Sequence, residues 1–115
     1  MPDASKSLEE LSANVRDFIE ERDWSQFHSL KDLAISLNLE ATEVLELFQW
    51  KSDSDVDKSK LSHELVDVLY WLIVIAEKTD IDLHSSFIEK MKLNREKYPV
   101  SKSKGSNKKY TELDT

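Results

Sequence analysis

The sequence predicts an all-α protein, and three observations carry that expectation. Glycine occurs once, at Gly105, and proline twice, at Pro2 and Pro99, in 115 residues. A sheet protein needs more of both for its tight turns. Apolar residues recur at three- and four-residue spacing in separate segments, which is the period of a helix face. One of those segments, LVDVLYWLIVIA, is apolar around nearly its whole circumference, the pattern of a buried helix.

The elements follow in order. A first helix is predicted over residues 6–22, where Leu8, Leu11, Val15, Phe18 and Ile19 share a face and Ser7 with Glu10 resembles a capping box. Residues 23–30, DWSQFHSL, break the period and read as a loop. A second helix is predicted over 30–50. Residues 51–59, KSDSDVDKS, form a short polar connection. A third helix covers 60–78. Asp80 is placed to cap a fourth over 81–97, which Tyr98-Pro99 ends. The remainder, 100–115, is polar and rich in Ser and Lys, and reads as a flexible or extended tail with Tyr110 as its aromatic anchor. Short connections between four helices predict a four-helix bundle. A chain of 13.4 kDa has length for one domain, 1–115, and a thin core. The surplus of large apolar residues around the third helix predicts completion by oligomerisation.

Composition excludes several function classes. Cysteine is absent, which removes disulfides, thiolate metal sites and thiol nucleophiles. Glycine scarcity removes phosphate loops and the dinucleotide fingerprint. Sixteen Lys+Arg against 23 Asp+Glu leave a net charge of −7, against the lean of a nucleic-acid-binding surface. No apolar run is long enough to span a membrane, and the N-terminus has no secretory pattern. The expected compartment is the cytoplasm.

The position of the acids is more informative. On a helical wheel, at about 100° per residue, Glu40 falls inside the stripe formed by Leu33, Leu37, Val44 and Leu47. Glu43 lies at the stripe's edge and Glu46 outside it. On the third helix, Glu64 falls between Trp71 and Ile75, and Asp67 between Val74 and Trp71. Two helices thus each carry an acid pair at i, i+3 on or beside a buried face. Clustered carboxylates in such a place repel one another and resist ionisation. A bound cation resolves that conflict, and an all-oxygen ligand set suits Mg²⁺ or Mn²⁺. The di-iron bundles use Glu-x-x-His on two helices, and no such pairing occurs here. The competing reading pairs these acids with Lys or Arg across the bundle or at a subunit interface. A carboxylate-held Mg²⁺ binds substrate phosphates, so phosphate-ester or anhydride hydrolysis is the first enzymatic expectation.

These residues resemble a known family. Glu40-x-x-Glu43, followed by Glu64-x-x-Asp67 within HELVDVLYWL, is similar to the E-x-x-E…E-x-x-D signature of the MazG-like all-α nucleoside triphosphate pyrophosphohydrolases. ERDWSQFH, ELFQWK, KMKLNREKYP and KKYTEL resemble the dCTP pyrophosphatase branch. The resemblance implies Mg²⁺-dependent hydrolysis of a nucleoside triphosphate, dCTP or a modified dCTP first among them, to monophosphate and pyrophosphate. It implies metal ligation by Glu40, Glu43, Glu64 and Asp67, with the general base in the Glu40/Glu43 pair. It implies a nucleotide pocket lined by Trp24, Ser25, Gln26, Phe27, His28, Trp50 and Trp71. Lys90 and Asn94 fall on the family's phosphate-side motif, and a homotetramer built from dimers is the implied assembly. Departures from the branch are Trp71 where Tyr is usual, Val15 in place of a His near the nucleotide, and Ser29-Leu30 in place of a Pro after the FH pair. Outside enzymology, the expectation is a helical interaction module whose acid pairs are structural and whose loop aromatics plug the bundle end.

Overall fold

A computed structural model describes residues 7–113. The elements are α1 (Leu8–Glu21), α2 (Leu30–Glu46), α3 (Lys58–Lys78), α4 (Leu83–Lys97) and the single-turn α5 (Val100–Ser103). Short 3₁₀ turns lie at Ser25–Phe27, Asp53–Asp55 and Tyr110–Glu112. The fold is all-α, with no strand among the described residues. Where an extended tail was expected, α5 and the Tyr110 turn are found, with the Tyr98 and Tyr110 rings edge to face at 6.0 Å and the Lys97 ammonium 5.0 Å from the Tyr110 centroid.

Side-chain oxygens start the four long helices. Ser7 Oγ accepts from the Glu10 N–H at 3.0 Å and Ser29 Oγ from Asp32 at 3.2 Å. Asp57 accepts from Ser59 and Lys60, and Asp82 from His84 and Ser85. Each satisfies backbone donors that a helix start leaves unpaired. The fourth cap is therefore Asp82, two residues beyond the expected Asp80. Asp80 instead has φ 56 and closes α3. Asp23, at φ 53, closes α1 in the same way. In both places the next N–H reaches back five residues, Trp24 to the Ile19 carbonyl at 3.1 Å and Ile81 to Ala76 at 2.9 Å. These are the bonds of a left-handed helix cap, usually built on glycine; here Asp supplies the conformation.

The second helix stops at Glu46, four residues short of the expected end. Leu47, Phe48 and Gln49 donate to carbonyls three residues back, tightening the chain into a turn that ends in Trp50 at φ 63.

The described residues form two compact units, one up to Ile81 and one from Asp82. In the first, α2 packs along α3 and α1 lies against α3. Its core joins Ile19, Leu33 and Val74, one from each helix, with Val15, Tyr70, Trp71 and Ile75 packed around them. Leu33 and Ile73 are each 1% exposed. The apolar circumference of α3 is buried on one side; Leu65, Val66 and Leu72 face outward. No helix among the described residues is long and apolar enough to cross a membrane.

Candidate active site

Along the α2–α3 pairing, Glu40, Glu43 and Glu64 each bring one carboxylate oxygen into a group whose members all lie within 4.8 Å of one another. Glu40 and Glu64 are half-buried and Glu43 is exposed. One oxygen of Glu40 and one of Glu64 are buried without a hydrogen-bond partner in the protein. Burial first, then the neighbouring Glu43 carboxyl and the charges of Asp67 and Glu64, push Glu40 up to about 7 from its ordinary 4.5. Glu64 is raised as well, by its contact with Glu43, by burial, and by the charges of Glu43, Asp67 and Glu46. Asp67 is exposed and outside the 4.8 Å group, yet its charge is felt by both acids.

Among the described residues the ion pairs are Arg16–Glu77 and Arg22–Glu21. Neither involves the four signature acids, so pairing with Lys or Arg among the described residues does not explain them. Orphaned oxygens, mutual repulsion and an all-carboxylate donor set fit a hard divalent cation.

Beyond the acids, α3 carries an aromatic array. Tyr70 and Trp71 meet edge to face at 4.9 Å, Phe18 touches Tyr70 at 6.1 Å and Trp24 at 5.6 Å, and His28 touches Trp71 at 6.1 Å. The Arg22 guanidinium lies 3.9 Å from the Phe18 centroid. Burial and the nearby Lys78 charge lower the His28 pKa, which favours the neutral imidazole. Trp24, His28 and Trp71 thus belong to one cluster. Gln26 is turned onto its own loop, its Nε2 donating to the Asp23 carbonyl and carboxylate. Ser25 and Phe27 are exposed, and Trp50 is 100% exposed. Lys90 and Asn94 stand one turn apart on α4, in the second unit.

Sequence reasoning missed the bidentate Arg16–Glu77 pair, at 3.1 and 3.2 Å, which ties α1 to α3. It also missed a cleft of about 250 Å³ beside that pair, lined by residues including Val15, Glu20, Ser25, His28 and Lys78. Lys78 was legible in principle: it stands seven residues after Trp71 and fourteen after Glu64, on one face of α3.

The acids' arrangement coincides with a profile match. The sequence profile of the MazG-like family matches residues 35–113, spanning both acid pairs. The chain belongs to the MazG-like family. Curated relatives agree: dCTP pyrophosphatase 1 of Mus musculus is 41% identical, and that of Homo sapiens 37%, each alignment covering 93% of this chain and 68% of the relative. A crystal structure of a pyrophosphatase from Archaeoglobus fulgidus superposes with a TM-score of 0.74 at 32% identity, covering 86% of this chain and 98% of that one. This MazG-like chain is an enzyme, a nucleoside triphosphate pyrophosphohydrolase.

Proposed function

We propose that the enzyme hydrolyses dCTP or a modified dCTP in the cytoplasm to the monophosphate and pyrophosphate, with Mg²⁺ as cofactor, and thereby cleanses the nucleotide pool. The carrying observation is the convergence of Glu40, Glu43 and Glu64 with two buried oxygens left unpartnered. The family's relatives named for dCTP support the substrate.

Glu40, Glu43 and Glu64 would hold the ion, with Asp67 adding charge beside them. When bound, Mg²⁺ offsets phosphate charge and orients the phosphate oxygens. The chain's own residues do the rest. A carboxylate of the Glu40/Glu43 pair takes the proton of the attacking water as general base. The water oxygen bonds to phosphorus as the α–β bridge breaks, and the bridging oxygen leaves with one product. Trp24, His28 and Trp71 offer ring faces and edges to the base. The functional assembly is a homo-oligomer, a tetramer or a dimer.

A panel of ribo- and deoxynucleoside triphosphates, assayed with Mg²⁺ and with product analysis, tests this. The expected products are monophosphate and pyrophosphate, with dCTP or its derivatives turned over best. Release of orthophosphate from the γ position would mean a different phosphate register and would sink the proposal.

A further inference from the structure

Three side chains on α3, Glu64, Trp71 and Lys78, follow one another at seven-residue intervals and so share a face. At about 1.5 Å per residue, Val74 lies about 15 Å along the helix from Glu64. That is the reach of an extended nucleoside triphosphate whose phosphates sit at the carboxylates. The cleft opens at this point. Val15 and the buried Ile19 and Val74 give it an apolar wall, and the half-buried His28, which touches Trp71, borders it. An apolar cleft with a few polar groups is the usual form of a small-molecule subsite. Four charged residues line it. Arg16 and Glu77 are spent on each other through two hydrogen bonds. Glu20 and Lys78 make no ion pair among the described residues.

We propose that this cleft is the base subsite, and that Glu20 and Lys78 read the edge of cytosine, Glu20 accepting from the exocyclic amine and Lys78 donating to the ring nitrogen and carbonyl. This rests on the reading of the acids as the phosphate end of the same site. A carboxylate is an acceptor only and an ammonium a donor only, with three protons to give. Cytosine complements that pair, since its edge runs donor, acceptor, acceptor. Thymine and uracil turn a carbonyl toward Glu20, setting acceptor against acceptor. Adenine has no carbonyl for Lys78. A group left unpaired in this way discriminates more sharply than shape does. Guanine is set apart by its second ring alone, since its ring N–H and amine can both donate to the Glu20 carboxylate while its carbonyl accepts from Lys78.

The test compares wild type with Glu20→Gln and Lys78→Met. It measures kcat/KM for dCTP, dTTP, dATP and dGTP by pyrophosphate release, together with quenching of tryptophan fluorescence by dCMP and dTMP. Wild type is expected to prefer dCTP. Glu20→Gln should lower the dCTP:dTTP ratio of kcat/KM at least tenfold, through KM more than kcat, because a glutamine amide can turn its N–H toward a thymine carbonyl. Lys78→Met should lower the same ratio and weaken dCMP binding. A ratio that stays put in both variants would overturn the proposal while leaving the hydrolase reading intact, as would wild type using dTTP as well as dCTP. Wild type releasing pyrophosphate from no triphosphate would overturn the hydrolase reading and the subsite with it.

Discussion

Glu40 shows why single positions matter more here than composition. Its carboxyl sits among three others and holds a proton up to about 7. A carboxyl whose pKa is raised on folding favours the folded state while protonated, and that contribution is lost as pH climbs from its unfolded value through its folded one. His28 works in the opposite direction, because its lowered pKa costs stability below its ordinary value of 6.5. Between pH 6.5 and 8, then, Glu40 dominates. With chelator present, Tm is expected to fall across that window, and Glu40→Gln or saturating Mg²⁺ should flatten the fall. A Tm independent of pH in all three samples would mean the acids are not strained. For the reaction itself, Glu43→Ala and Asp67→Ala should each cost about 100-fold or more in kcat with the fold retained, measured by pyrophosphate release beside circular dichroism. Wild-type turnover in both would make these acids structural. The acid pairs were legible in the sequence because i, i+3 spacing and the apolar stripe fix a helix face. That Trp50 stands fully exposed was not, since it follows from α2 ending at Glu46, a matter of backbone turns that no periodicity encodes.

At the scale of elements, α3 organises the first unit: its inner side supplies Ile73, Val74 and Ala76 to the core, and one of its faces carries Glu64, Trp71 and Lys78. Leu33 of α2 is 1% exposed and meets that inner side, so Leu33→Ala should cost about 2–5 kcal/mol by urea unfolding, through lost burial and the cavity left behind. If the loss is below about 1 kcal/mol, the α2–α3 core is looser than its packing implies. The helix ends give a separate prediction. With Gly105 as its one glycine, the chain closes α1 and α3 on Asp23 and Asp80 in the left-handed region. Asp80→Gly should leave stability equal or slightly raised, whereas Asp80→Val should cost about 1–2 kcal/mol, because a β-branched side chain resists positive φ. Equal midpoints for the two variants would contradict the cap. The helices themselves were readable from period and capping residues. Asp80 was misplaced as an N-cap because Asp80 and Asp82 offer the same side-chain chemistry, and only the five-residue backward bond from Ile81 shows which one ends a helix and which begins the next.

At the scale of the whole molecule, many large apolar side chains among the described residues stand exposed. Among the described residues five hydrophobic side chains are buried, while Leu39, Leu45, Leu65, Val66 and Leu72 of α2 and α3 are each between 41% and 64% exposed, and Trp50 is fully so. Exposed apolar side chains gathered on a helix face mark interaction surfaces, and a domain of this size gains stability by covering them. Charge sets the character of that cover. Residues up to Ile81 carry eight Lys+Arg against eighteen Asp+Glu, whereas those from Asp82 onward carry eight against five. Two copies of the acidic α2–α3 surface repel each other at long range, so attraction between them has to be apolar and short-range, and salt should strengthen it by screening the repulsion. Light scattering at micromolar concentration is expected to give a multiple of the 13.4 kDa chain mass, rising or holding as NaCl goes from 50 to roughly 500 mM, where the screening length falls below about 5 Å. Val66→Glu, which puts a charge into the outward face of α3, should shift the mass toward 13.4 kDa and lower Tm. A wild-type mass of one chain at every salt concentration would show that α3 tolerates its exposed face, and the oligomer would have to be abandoned. An oligomer that dissociates as salt rises would instead place its contacts between opposite charges, away from the apolar faces of α2 and α3.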